Sequence, residues 1–110
     1  MRTLRFIVDG TTIRQDPSCD FSGLFPSKTG KLRAEFIFSK EWESRTKVIA
    51  FWSIMDNECA PQVVNDDETC MIPAEAISKV AFKLQVLGKT RNSPIVKTNT
   101  VTIYQSGTKR

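Results

Sequence analysis

Histidine does not occur anywhere in this chain of 110 residues. Its absence removes the commonest general base and metal ligand, and with it any Ser-His-Asp, Cys-His or zinc-histidine scheme. Cysteine is sparse and odd in number: Cys19, Cys59 and Cys70 show no CxxC spacing. Three reduced thiols are therefore expected, in a protein made in the cytoplasm, rather than a disulfide framework or a zinc ribbon. No apolar run approaches the ~18 residues that a membrane span needs. The basic start is followed only by the short run Phe6-Ile7-Val8, too brief for the apolar core of a secretion signal. There is no internal repeat, no low-complexity tract and no linker, so residues 1–110 are read as one domain, of a size that buries roughly 65% of the unfolded chain's surface.

What is present is a period of two. Leu4, Phe6 and Val8 alternate with Thr3, Arg5 and Ile7, and Asp9-Gly10 then turns the chain into a return segment at Thr11 to Arg14. Residues 15–30 carry Asp16-Pro17, Gly23, Phe25-Pro26 and Gly30 and read as an irregular loop, with Phe21, Leu24 and Phe25 tucked against the core. Leu32, Ala34, Phe36 and Phe38 share one face of a half-buried strand. Lys47 to Ser53 is apolar on both faces and predicts a central strand that holds Trp52 in the core. Residues 62–64 and 68–72 flank Asn65-Asp66-Asp67 and predict a hairpin.

Pro73 opens a short helical turn at 73–77. Phe82, Leu84 and Val86 alternate up to Gly88, and after a polar turn residues 95–104 run β-branched almost throughout. Seven or eight short strands with turns every 8–12 residues predict an all-β domain, an antiparallel β-sandwich of the immunoglobulin or fibronectin kind.

Charge is unevenly distributed. Residues 48–75 hold six acids and no Lys or Arg, whereas residues 76–110 hold seven Lys or Arg and no acid. Three readings follow. Sheet pairing can set the two segments side by side, where they cancel. An acidic surface can meet a basic one on a neighbouring copy. A basic stripe can track phosphates. The first two are preferred, and no nucleic-acid or membrane partner is expected. The oriented-contact candidates are Asp66, Asp67 and Glu68 on one side and Lys89, Arg91 and Lys97 on the other.

Nothing composes a catalytic or metal site. Asp66-Asp67-Glu68 matches no EF-hand spacing and is better read as a solvated turn. Paired carboxylates could serve glycoside hydrolysis only at a separation of about 5–9 Å that the sequence does not fix. Trp42, Trp52 and Tyr104 could form a stacking platform, but Trp42 suits the plug of a sandwich end and Trp52 the core. Cys70 alternates in phase with Ile72 as a small buried hydrophobe, and Cys19 and Cys59 fall near loops. No catalytic residue and no cofactor are expected.

Several short signatures occur in a particular order. Phe36-Ile37-Phe38-Ser39-Lys40-Glu41-Trp42 precedes Lys47-Val48-Ile49-Ala50-Phe51, then Cys70-Met71-Ile72-Pro73-Ala74-Glu75, then Phe82 to Gly88, then Thr98-Asn99-Thr100-Val101. Over residues 31–107 the chain resembles the upper-baseplate N-terminal β-sandwich domain of tail and baseplate proteins from phages and prophages of Gram-positive bacteria. That resemblance implies scaffold roles: Ser39 capping the turn that holds Glu41 and Trp42, Pro73 ending a strand, and Asn99 satisfying backbone groups beside the last strand. It implies a non-enzymatic structural component of a phage tail, baseplate or prophage tail-like particle, located in the virion tail. Such a component is expected to form homo-oligomers and dock to other tail proteins. A carbohydrate-binding module and a phage-encoded inhibitor of a host protein are the alternatives.

Overall fold

Nine strands and two short helical turns account for the regular structure in a computed structural model that describes residues 2–27, 29, 31–55, 57–90 and 93–105. In chain order these are β1 (Arg2–Asp9), β2 (Thr12–Gln15), β3 (Leu32–Phe38), a 3-10 turn (Lys40–Trp42), β4 (Thr46–Ser53), β5 (Gln62–Val63), β6 (Thr69–Met71), α1 (Ala74–Ile77), β7 (Ala81–Thr90), β8 (Ser93–Lys97) and β9 (Val101–Tyr104). One sheet has the order β2-β1-β3-β6 and the other β5-β4-β7-β8, with β9 also paired to β7. We call these sheet A and sheet B. Leu4, Phe6, Val8 and Phe36 from sheet A join Ile49, Phe51, Phe82, Leu84, Val86 and Ile103 from sheet B in a single buried cluster. The expected all-β sandwich is the fold.

One pairing is parallel rather than antiparallel: β1 and β3 run side by side from Arg2 opposite Leu32 to Val8 opposite Phe38. The turn at Gly10, in the left-handed region at φ +59°, sends β2 back along one edge of β1. A parallel neighbour on the other edge then requires a long crossover, and residues 16–31 supply it. That loop is organised by short-range acceptors. The Asp16 carboxylate accepts from the Ser18 amide and hydroxyl, and the Asp20 carboxylate does the same for Ser22. Leu24 is buried and Phe21 packs on the core, but Phe25 is 58% exposed, contrary to expectation. The turns place it on the outer side of the loop.

Three further expectations need correction. Segments 62–64 and 68–72 do not form a hairpin, because β5 pairs with β4 in sheet B while β6 pairs with β3 in sheet A. The turn at residues 65–68 therefore crosses between sheets. It closes through Asn65 N–H to the Thr69 carbonyl and Glu68 N–H to the Asn65 carbonyl, with Glu68 at φ +65°. Trp52 lies on the outer face of sheet B, half-buried, because β4 turns Ile49, Phe51 and Ser53 inward. Cys59 lies in a loop segment, as expected, and is buried in the core cluster.

The β-branched run at 95–104 breaks into β8 and β9, because the Thr98 hydroxyl accepts from the Val86 amide and Asn99 leaves the ladder. Asn99 accepts from the Ile13 amide at 2.8 Å and donates to the Ile13 carbonyl at 3.2 Å. One side-chain amide thus joins β2 of sheet A to the β8–β9 junction of sheet B, in the backbone-satisfying role the resemblance implied for it. At the other end Gln105, 1% exposed, donates to the carbonyls of Ile77 and Lys79 and holds α1 against the last strand. Pro73 precedes α1 with φ −59° and follows the end of β6 at Met71.

Candidate functional site

The segment after β3 sets up the part of the surface richest in unsatisfied chemistry. The 3-10 turn carries Trp42 back under the sheets, where it is 1% exposed. Ser39 makes no side-chain cap to this turn; its hydroxyl instead accepts from the Gly10 amide at 3.0 Å. Glu41 hydrogen-bonds to Ser39, and that contact holds its carboxyl below the ordinary range. The chain then leaves through Arg45, whose amide donates to the Trp42 carbonyl, into β4.

Arg45, Thr46 and Lys47 lie beside the sheet-crossing turn, since Val64 N–H donates to the Lys47 carbonyl. Between them is a cleft of about 370 Å³ lined by Glu43, Arg45, Lys47, Asn65, Asp66 and Glu68. Two atoms in these side chains, Arg45 Nη1 and Glu68 Oε2, are buried and have no hydrogen-bond partner among the described residues. A charged nitrogen and a charged oxygen removed from water without partners cost free energy, on the order of 1–3 kcal/mol each or more. Their placement in one cleft marks it as a surface that is incomplete without a ligand, a partner or ordered water.

A second hollow of about 340 Å³ shares Glu43, Lys47 and Glu68 and extends along Phe36, Ile37 and Phe38. It follows the part of β3 that β6 does not cover. The ladder with β6 ends at Glu35 opposite Thr69, and Phe36 N–H then donates to the Glu68 carbonyl. Ile37 and Phe38 have β1 on one side and, among the described residues, no strand on the other. Ile37 is 50% exposed, and the Lys47 ammonium sits 5.0 Å from the Phe38 ring centroid. An uncovered strand edge beside unpartnered charges is a place where an extended segment can add.

Of the six contact candidates, the structure brings Asp66 and Glu68 into this cleft. Asp67 points its carboxylate at Thr69, accepting from the hydroxyl at 2.6 Å and the amide at 3.3 Å. Chiefly through the Thr69 hydroxyl, its carboxyl is held below the usual value. Lys89, opposite Thr46, and Lys97, opposite Leu87, are exposed and lie across β4 from the acidic turn. Arg91 falls outside the described residues. Acidic turn and basic strands thus share one end of sheet B but flank it on opposite sides. No ion pair joins them among the described residues, where both ion pairs belong to Arg5, with Asp16 and Glu35. Arg45 was not anticipated; its position five residues before the apolar centre of β4 carries no pattern that distinguishes it from a solvated cation.

The thiols are placed for packing. Burial pushes the Cys70 thiol up to about 12 and raises that of Cys59. All three cysteines are free.

Neither protein-family models nor curated proteins give a match to this chain.

Proposed function

We propose that this protein is a non-enzymatic structural component of a phage tail or baseplate, or of a prophage-encoded tail-like particle, and that it works by docking. The observation that carries the reading is the pair Arg45 Nη1 and Glu68 Oε2, buried and unpartnered in one cleft beside the uncovered edge of β3. A neighbouring chain that lays an extended segment along Ile37 and Phe38 supplies backbone partners to the edge and charged partners to Arg45 and Glu68. The order and spacing of the signatures in residues 31–107 support a baseplate setting for that neighbour.

The split of charge across sheet B supports self-association as well. An acidic turn on one side and Lys89 and Lys97 on the other permit a head-to-tail contact, which closes into a ring when the rotation allows. Many weak contacts then add through symmetry. The reading places the protein in the virion tail, and it invokes no catalytic step, cofactor, nucleic acid or membrane.

The test is mass spectrometry of purified induced particles, with the wild type compared with Arg45→Met combined with Glu68→Gln. Stoichiometric presence of the wild type and depletion of the double variant are expected. Absence from particles while the soluble lysate is rich in the protein favours an inhibitor of a host protein instead. Reversing the charge of Lys89, Arg91 and Lys97 is expected to abolish self-association, and unchanged assembly removes that contact from the proposal.

A further inference from the structure

Trp52 occupies a different surface from the docking cleft, near the opposite end of β4. Across sheet B it stands in a row with Glu58, Lys83 and Thr102, set by the pairings Trp52 with Glu58, Trp52 with Lys83 and Lys83 with Thr102. Beside that row Gln85 and Thr100 join Trp52 and Lys83 in lining a shallow hollow of about 330 Å³. Small-ligand clefts run from roughly 300 to 1,000 Å³, so the hollow has room for a small ring or two.

The two tryptophans differ in what their polar atoms do. Trp42 is sealed and donates its Nε1–H to the Gly10 carbonyl at 2.9 Å. Trp52 is half-buried, and its Nε1–H has no acceptor among the described residues. Around it, Gln85 donates Nε2–H to the Thr98 carbonyl at 2.6 Å, which orients the amide and leaves Oε1 as an acceptor. Thr100 is exposed, and its hydroxyl is engaged with no described residue. A partly open indole edged by two neutral hydrogen-bonding groups, Gln85 and Thr100, beside one cation, Lys83, has the chemistry that a pyranose requires. The apolar C–H face of such a ring stacks on an aromatic plane, and its hydroxyl rim needs donors and acceptors at the side. A nucleotide fits less well, because its phosphates call for clustered cations and Lys83 is the only cation among the described residues that line the hollow.

We propose that this outer face of sheet B is a binding site for a pyranose unit of a neutral oligosaccharide, stacked on Trp52 and hydrogen-bonded by Gln85 and Thr100. Free sugar and an insoluble polysaccharide share this chemistry. The proposal is independent of the docking cleft, so either can fail alone.

The full chain is titrated with cellotriose and with N,N′,N″-triacetylchitotriose, following tryptophan fluorescence and backbone amide shifts, and is tested for retention on insoluble cellulose and chitin. Saturable binding with a Kd of about 0.1–10 mM is expected for at least one probe. Trp52→Ala should weaken it about tenfold or more, the equivalent of about 1.4 kcal/mol. Thr100→Val keeps both tryptophans and should weaken it by roughly threefold or more, as loss of one hydrogen bond to ligand does. Retention on a polymer that the free trisaccharide does not compete away assigns the polymer as source, and competition assigns the free sugar. No shift at up to about 20 mM sugar, a range covering all but the feeblest binding, together with no retention on either polymer overturns the proposal. Undiminished binding by a folded Trp52→Ala or Thr100→Val protein overturns it equally.

Discussion

The Trp42 ring lies directly over Gly88, so that a Cβ added at Gly88 would overlap the ring. Gly88 is in β7 opposite Lys47, and the Arg45 side chain also comes close to where that Cβ would stand. The glycine is required by close approach, and the plug at this end of the sandwich depends on it.

Gly88→Ala is expected to destabilise the fold by about 1–3 kcal/mol through overpacking, because the stacked ring cannot withdraw without losing its bond to Gly10. Trp42→Ala should cost about 3–5 kcal/mol as a cavity in the core. Urea denaturation of the two variants checks both values. A neutral Gly88→Ala would mean that the ring has room to move.

Asn99 holds two backbone groups of Ile13 with one amide, across the gap between the sheets. Asn99→Ala is expected to cost about 1–3 kcal/mol, since it leaves both groups unpaired. Hydrogen exchange at the Ile13 amide should accelerate more than exchange at the Phe82 amide in the core. Equal changes at both would show global loss of stability rather than release of β2.

Stability should fall on acidification. Asp16 is held below its ordinary pKa first by the Ser18 amide and hydroxyl and then by Arg5, while Asp67 is held down chiefly by the Thr69 hydroxyl. A carboxylate with a folded pKa below its unfolded value of about 3.9 contributes stability that is complete above that value. The contribution is lost as pH drops through the lower folded value. Thermal melts between pH 6 and 2 are expected to show the decline beginning near the ordinary carboxylate range, with a shallower decline in Asp16→Asn. A variant with the wild-type slope would contradict the role given to Asp16.

Acrylamide, a neutral quencher, should reach Trp52 and not Trp42, the first half-buried and the second 1% exposed. A downward-curving Stern–Volmer plot for the wild type is expected, with a linear, shallow one for Trp52→Phe. Full accessibility of both rings would place Trp42 outside the core.

Alternation alone was enough for much of this architecture. Leu4, Phe6 and Val8, or Phe82, Leu84 and Val86, must face one way when the side-chain period is two, so their burial was readable without any partner strand. The Asp9-Gly10 turn, the helical turn after Pro73 and the plug at Trp42 were legible for the same local reason. Glu68 was named among the contact residues from charge alone, but nothing local announced that its Oε2 would be buried without a partner.

What the tertiary structure decided were relations between segments far apart in the chain. The apolar run around Trp52 satisfies either face of β4, and only the pairing that turns Phe51 inward puts the indole outside. The turn at Asn65 to Glu68 suits a hairpin and a sheet crossing equally, because its local hydrogen bonds are indifferent to which strand receives each arm. The placing of Arg45 and Glu68 in one cleft, and of Trp42 against Gly88, arises from strands brought together by the closing of one core. Periodicity determines which way a side chain points; what it then touches depends on which strands become neighbours, and that is settled by burial summed over the whole chain.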